Sequence, residues 1–223
     1  GLTFRDGLSS SPGGAILNDG GTLTITSSIF DNNESTWAGS FAGGGAIANR
    51  ANGTNLGNLT VTNGTFTSNK AVIGGAINNE DRCTATVGNS RLSGNLASAS
   101  SNGGGGGIFS QGTLTVDTSV LSSNTATFKG GGILVWAGTA TTTNLVNSEL
   151  SGNTAKSGGG FSSEGSGSTV EILSSTVSGN TSNGGITHGG GGLLNYLGTL
   201  KLINSTVSGN TSINTGGGIE NYG

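Results

Sequence analysis

The sequence predicts an all-β protein, a single-stranded parallel β-helix of about eight coils, each of a little under thirty residues. Right-handed coils are expected from the general preference of parallel crossovers. Three observations predict the β-helix. An asparagine recurs ten residues after an apolar strand residue, and a glycine run followed by an apolar residue separates these segments. Apolar and polar residues alternate with period 2 inside the segments, which is typical of strands, and no window has a helical period. Residues 1–223 are therefore predicted to form one solenoid domain, a rod of about 40 Å.

The first repeated element pairs an apolar residue with an asparagine at a constant offset. The pairs are Leu23 and Asn33, Leu59 and Asn69, Ala85 and Asn95, Leu114 and Asn124, Thr143 and Asn153, Val170 and Asn180, and Leu200 and Asn210. Asparagines at the same turn of successive coils can pass amide hydrogen bonds along the stack. We therefore expect these seven to form an asparagine ladder, and Asn124→Ala to cost about 1–3 kcal/mol.

The second repeated element is a glycine run followed by an apolar residue, which suits a close backbone approach with positive φ. The apolar positions are Ile16, Ile47, Ile77, Ile108, Ile133, Phe161, Leu193 and Ile219. Asparagine follows two residues later in five coils: Asn18, Asn49, Asn79, Asn195 and Asn221. We expect these five to form a second, partial ladder that is interrupted at Ser110, Val135 and Ser163.

The two elements together resemble a known repeat. GGAI at Gly13–Ile16, Gly44–Ile47 and Gly74–Ile77 alternates with Phe30-Asp-Asn-Asn33 and Phe66-Thr-Ser-Asn69. This is similar to the GGA[I/L/V] and FxxN repeats of chlamydial polymorphic outer membrane proteins. The resemblance implies a β-helical passenger carried to the cell surface by an autotransporter route, with an adhesive role.

The ends of the chain suggest assembly. Capping segments are not evident, so strand edges and core would be exposed at both ends. Leu2-Thr3-Phe4 is interpreted as a strand equivalent to Leu23-Thr24-Ile25, the strand that should follow the final GGGIENYG. The predicted head-to-tail junction comprises Gly1, Leu2, Thr3, Phe4, Arg5 and Asp6 of one copy and Gly216, Gly217, Gly218, Ile219, Glu220, Asn221, Tyr222 and Gly223 of the next. Such a heterologous contact would make filaments. A segment trimmed from a longer solenoid would have the same ends.

Outward positions of the glycine-run strands carry apolar and aromatic residues: Phe109, Leu134, Trp136, Leu194, Tyr196 and Tyr222. Such a face suggests lateral contact or a strip on which sugars stack. The alternative is that loops such as 97–102 or 183–188 fold over it.

Composition excludes several partners and leaves others open. The net charge is −3 with eight Lys plus Arg, so no basic stripe for nucleic acid or anionic membrane is present. No apolar run is long enough to span a bilayer. The chain lacks methionine and a signal peptide and starts on Gly1, so it is either processed or cut from a longer chain. Cys83 is the single cysteine.

The sequence does not predict an enzyme, a cofactor or a metal site. Polysaccharide-acting solenoid enzymes need clustered carboxylates, or a metal with a basic partner. Glu80-Asp81-Arg82, the pair Asp31 and Glu34, and the lone His188 all fall in loops. The glycine runs lack the lysine of a phosphate loop and the aspartates of calcium-binding repeats.

Ice binding is a further class, because outward threonine pairs occur at Thr22/Thr24, Thr84/Thr86 and Thr113/Thr115. The same column also holds Asn144, Glu171 and Lys201. The pairs are interpreted as residues that favour strands.

The sequence therefore predicts an extracellular or cell-surface structural protein that polymerises head to tail, its main partner being itself. The alternative is a β-helical segment of a larger bacterial surface adhesin or autotransporter passenger, with glycans or a host surface as partner.

Overall fold

The computed structural model of the protein describes residues 1–39, 43–138, 140–184 and 188–223. In these ranges the chain forms parallel strands and no helix, and the strands stack as a β-solenoid. The predicted fold class is confirmed. Each complete coil contributes one strand to each of four parallel sheets, which we name A, B, C and D in the order in which the chain visits them.

Sheet A contains β1 (Thr3–Arg5), β5 (Ile29–Asp31), β9 (Thr65–Thr67), β13 (Arg91–Ser93), β17 (Val120–Ser122), β21 (Glu149–Ser151), β25 (Thr176–Ser178) and β29 (Thr206–Ser208). Sheet B contains β2 (Leu8–Ser9), β6 (Glu34–Ser35), β10 (Lys70–Ala71), β14 (Leu96–Ala97), β18 (Thr125–Ala126), β22 (Thr154–Ala155), β26 (Thr181–Ser182) and β30 (Thr211–Ser212).

Sheet C contains β3 (Ile16–Asp19), β7 (Ile47–Arg50), β11 (Ile77–Asn79), β15 (Ile108–Ser110), β19 (Ile133–Trp136), β23 (Phe161–Glu164), β27 (Leu193–Tyr196) and β31 (Ile219–Tyr222). Sheet D contains β4 (Thr22–Thr26), β8 (Asn58–Thr62), β12 (Thr84–Gly88), β16 (Thr113–Asp117), β20 (Thr142–Val146), β24 (Thr169–Leu173) and β28 (Thr199–Ile203). The described residues thus form seven complete coils and the A, B and C strands of an eighth.

The core is built from columns of inward side chains that stack directly above one another. The sheet A column begins with three phenylalanines, and the rings of Phe4, Phe30 and Phe66 stack with centroids 4.8 and 4.6 Å apart. Leucines and valines continue this column, and the predicted apolar positions of sheet C pair in register from Ile16 to Ile219. Because period-2 alternation points every second side chain inward, a constant register makes one continuous core.

The glycine runs form the bend before each sheet C strand, and they take the conformation expected from the sequence. Gly74 has a φ of 63°, which favours glycine. A Cβ on the next residue, Gly75, would overlap the carbonyl oxygen of Gly106 and the backbone of Leu96. The run therefore lets successive backbones approach closely at this corner.

The interpretation of Leu2–Phe4 as an equivalent of Leu23–Ile25 is wrong. Thr3–Arg5 pairs with Ile29–Asp31 in sheet A, whereas the strand that would follow Tyr222 belongs in sheet D. Both kinds of strand have alternating apolar residues, so a three-residue segment fits either pattern. Chain length decides between them: only 14 residues separate Leu2 from Ile16 (16 − 2), whereas Leu59 to Ile77 requires 18 (77 − 59). The predicted completion of the last coil by this strand is therefore wrong as well.

Candidate functional site: ladders and end faces

The seven predicted asparagines form the hydrogen-bonded ladder expected from their spacing. The side-chain amide of each of the first six donates to the Oδ1 of the asparagine in the next coil at 2.9–3.0 Å. Each Nδ2 also donates to a carbonyl oxygen of the preceding coil, as Asn69 does to Phe30 at 3.0 Å. The same Oδ1 atoms accept the backbone N–H of the preceding asparagine at 2.8–3.0 Å. The ladder therefore satisfies buried polar groups at the corner between sheets A and B in coils two to eight.

The second ladder runs further than the sequence indicated. Asn18 donates to Asn49 at 2.7 Å, and Asn49 donates to Asn79 at 2.8 Å. Ser110 was expected to interrupt this ladder, but its Oγ accepts from Asn79 at 3.0 Å. A hydroxyl can accept the amide proton that an asparagine would have accepted. The ladder resumes near the C-terminus, where Asn195 donates to Asn221 at 2.7 Å.

A third ladder, made of serines, is not among the features predicted from the sequence. Its members lie at the corner between sheets D and A: Ser28, Ser90, Ser119, Ser148, Ser175 and Ser205. Each hydroxyl oxygen accepts a backbone N–H from the preceding coil at 2.9–3.1 Å. Each serine precedes a ladder asparagine by five residues. This constant offset could have predicted the ladder in a chain less rich in serine.

The N-terminal face of the solenoid exposes strand edges and core. Leu2 is 65% exposed and Leu8 is 72% exposed. A cavity of about 340 Å³ opens here between sheets A, C and D, lined by Phe4, Ile16 and Leu23. Along β1, the backbone groups of successive residues point alternately toward the second coil and away from it. Leu2 O and Asp6 N form hydrogen bonds with the second coil. The N–H groups of Thr3 and Arg5 therefore point away from the solenoid.

The C-terminal face likewise exposes strand edges and core side chains. Ile219 is 39% exposed and Tyr222 is 52% exposed, while Val207 is half-buried. In the central coils the equivalents of Val207 and Ile219, such as Leu121 and Ile133, are fully buried. Strands β28 to β31 each have one side without a partner strand among the described residues.

The two end faces match strand for strand in three sheets. In the eighth coil the unpaired strands are β29, β30 and β31, and in the first coil they are β1, β2 and β3. Stacking one on the other would place Val207 against Phe4 and Ile219 against Ile16, as in the interior columns. It would also place Asn221 beside Asn18, whose Oδ1 accepts no hydrogen bond among the described residues. Sheet D would lack one strand, because β28 lies in the seventh coil.

Most of the predicted outward strip is covered by other parts of the chain. The interpretation of the whole strip as a lateral contact surface is therefore corrected. Phe109 and Leu134 are fully buried in a second apolar cluster with Ile73 and Ala99, and Leu194 is 1% exposed. Ile73 and Ala99 lie in two of the connections between sheets B and C and pack over the outer surface of sheet C, since the burial of apolar side chains away from water is favourable. Part of the loop 183–188, namely 185–187, lies outside the described residues. Phe109, Leu134 and Leu194 therefore do not form a lateral contact surface.

Trp136 and Tyr196 are half-buried and Tyr222 is exposed, and Glu164 lies in the same column between the first two. Glu164 forms an ion pair with Lys129, with Oε2 and Nζ 2.9 Å apart. The Nζ of Lys129 lies 5.8 Å from the ring centroid of Trp136. The ion pair and the cation–π contact hold the connection before β19 against sheet C.

Glu220 ties together three segments of the last two coils. Its carboxylate accepts hydrogen bonds from His188 Nδ1 at 3.0 Å, Gly189 N at 2.5 Å and Thr215 Oγ1 at 2.6 Å. Burial raises the pKa of this carboxyl, but the hydrogen bonds outweigh burial and hold the pKa below its ordinary value. The rings of Tyr196 and Tyr222 stack with centroids 5.3 Å apart, and the ring of His188 packs beside both, with centroids 5.1 and 4.8 Å away.

The other charged candidates are explained by contacts between coils or by burial. Arg5 pairs with Asp31 at 3.0 Å, and Lys70 pairs with Glu34 at 2.8 Å. Burial raises the pKa of Glu80 despite Arg50 nearby, and burial also raises the pKa of the Cys83 thiol. Within the described ranges, no three His, Cys, Asp or Glu residues are grouped to hold a metal ion, and no helix could cross a membrane.

Comparison with protein-family models, with curated proteins and with solved structures finds no match for this chain.

Proposed function

We propose that the protein is a structural rod that associates end to end, the C-terminal face of one copy stacking on the N-terminal face of the next. One observation carries the proposal: the unpaired strands of sheets A, B and C at one face match those at the other in order and in register. The contact is heterologous and does not close, so it propagates as a filament. It differs from the arrangement predicted from sequence, because a one-strand gap in sheet D remains at each junction.

Two kinds of interaction would stabilise the junction. The open cavity beside Phe4 and Ile16 would be covered by Val207 and Ile219, and burial of apolar surface is the main favourable term in association. The second asparagine ladder would continue from Asn221 of one copy to Asn18 of the next. That hydrogen bond sets the register, because a shift along the strands would leave Asn221 Nδ2 and Asn18 Oδ1 without each other as partners.

Sedimentation velocity and electron microscopy of the purified protein test the proposal. We expect the sedimentation coefficient to rise with concentration and rods to lengthen in steps of about 40 Å, the length of eight coils. Thr3→Pro removes an outward N–H of β1 and keeps the pairing with β5, so it should leave single rods. Thr3→Val, which keeps that N–H, is the matched control and should still associate. Single rods at every concentration for the native protein would contradict the proposal.

A second candidate function is a coil segment of a larger cell-surface adhesin, whose partner is a glycan or a host surface. The sequence resemblance and the partly exposed column of Trp136, Tyr196 and Tyr222 favour it, since an aromatic ring offers an apolar face on which a sugar can stack. An extracellular or cell-surface location is part of both proposals. Glycan-array binding that is lost in Trp136→Ala and kept in Trp37→Ala, an exposed tryptophan elsewhere, would support adhesion. Absence of binding by the native protein would count against it.

A further inference from the structure

The outer surface of sheet D carries a regular set of threonines in its first four coils. Two columns of outward positions are in register there: Thr22, Asn58, Thr84 and Thr113 form the first, and Thr24, Thr60, Thr86 and Thr115 form the second. We name the seven threonines of these columns the threonine array. Thr115 is half-exposed, and the other six are exposed.

The array has fixed dimensions. Neighbouring strands lie about 4.8 Å apart, and alternate residues along a strand about 6.6 Å apart. The array therefore spans about 14 Å along the rod. Threonine is branched at Cβ, so its χ1 is restricted and its methyl and hydroxyl groups keep their places.

Most of the hydroxyls of the array are uncommitted. Thr84 Oγ1 donates to Asn58 Oδ1 at 2.6 Å. The remaining six hydroxyls make no hydrogen bond to another protein group among the described residues. They are available to order water in the pattern of the sheet.

The fold does not require threonine at these positions. The second column continues with Asn144, Glu171 and Lys201 in the same sheet, and Glu171 and Lys201 form an exposed ion pair at 2.7 Å. The first column, in contrast, keeps threonine beyond the array, at Thr142, Thr169 and Thr199. Both columns are uncharged in coils one to four, whereas the second column carries charges in coils six and seven.

We propose that the threonine array binds the surface of an ice crystal. Its ligand must be periodic in two dimensions, uncharged, and able to donate and accept hydrogen bonds at each repeat. Ordered water meets these requirements. The eight positions of the two columns carry no charge to match an ion and no aromatic ring on which a sugar could stack. The array lies on the side of the rod, so the proposal is independent of end-to-end association.

Thermal hysteresis of the purified protein tests this proposal, measured as the gap between melting and freezing of a single ice crystal. We expect hysteresis in the native protein and at least a several-fold loss in Thr60→Lys, which places a hydrated cation in the middle of the array. Asn144→Lys is the matched control: it lies in the same column, one coil beyond the array, and should keep the native value. Circular dichroism verifies that both variants are folded.

Absence of hysteresis in the native protein would overturn the proposal. Equal loss in Thr60→Lys and Asn144→Lys, or no loss in either, would overturn it too, because the activity would then not depend on the array. Binding to crystalline polysaccharide without hysteresis would assign the surface to a different ligand and would likewise overturn it. Thr3→Pro, which acts at the end face, should leave hysteresis unchanged.

Discussion

Removing one amide from the centre of the first ladder tests what holds the coils together. In Asn124→Ala, the Oδ1 that accepts from Asn95 N at 3.0 Å and from Asn95 Nδ2 at 2.9 Å is lost. The Nδ2 that donates to Leu92 O and to Asn153 Oδ1, both at 3.0 Å, is lost as well. Alanine can replace none of these four hydrogen bonds.

The cost follows from the groups left behind. Asn95 Nδ2 keeps its bond to Phe66 O, and Asn153 Oδ1 keeps the N–H of residue 124. Asn95 N loses its acceptor and Leu92 O loses an amide donor. A buried unsatisfied group costs about 1–3 kcal/mol, so we expect about 3 kcal/mol for the two together. This is the upper end of the range expected from the sequence.

Urea unfolding followed by circular dichroism measures the loss in the free energy of unfolding of the whole protein. Hydrogen exchange at the Asn95 amide measures the loss of protection at that one site. The control is Asn210→Ala at the half-buried end of the ladder, where water can replace the lost bonds, and we expect about 1 kcal/mol there. Equal effects at the two positions, or native protection of the Asn95 amide in Asn124→Ala, would refute the role assigned to the ladder.

Three further changes test the core, a close backbone approach and the carboxylate of the last coil. Phe66→Ala should lower the free energy of unfolding by about 3–5 kcal/mol in urea, because it leaves a cavity at the end of the stacked rings. Gly75→Ala should prevent folding or lower the melting temperature far more than Gly94→Ala, since a Cβ on Gly94 meets no atom within 4 Å; similar melting temperatures would contradict this. Glu220 has a pKa below its ordinary value, so its contribution to stability is present above that ordinary value and is lost as the pH falls through the lowered pKa. Acid should therefore loosen the packing of His188 in the native protein, as followed by NMR, and Glu220→Gln should remove this pH dependence; an unaltered dependence in the variant would exclude Glu220 as its source.

The sequence by itself was sufficient for the repeat, the inward columns and the first asparagine ladder. Period-2 alternation places every second side chain inside, and repetition at a nearly constant length aligns equivalent residues. Phe30 and Phe66, like Asn33 and Asn69, could therefore be placed in columns without knowledge of any contact. The serine ladder has the same kind of signal, but serine is too abundant in this chain for it to be distinct.

The tertiary structure alone decided two other matters. Leu2–Phe4 matches the pattern of sheet D and that of sheet A, and the pairing of Thr3–Arg5 with Ile29–Asp31 places it in sheet A. Phe109 and Leu134 occupy outward positions, and they are buried because connections of variable length fold back over sheet C. Neither outcome follows from the alternation within a strand. Alternation defines which side of a strand faces the core, whereas pairing partners and covering loops depend on the path of the chain between strands.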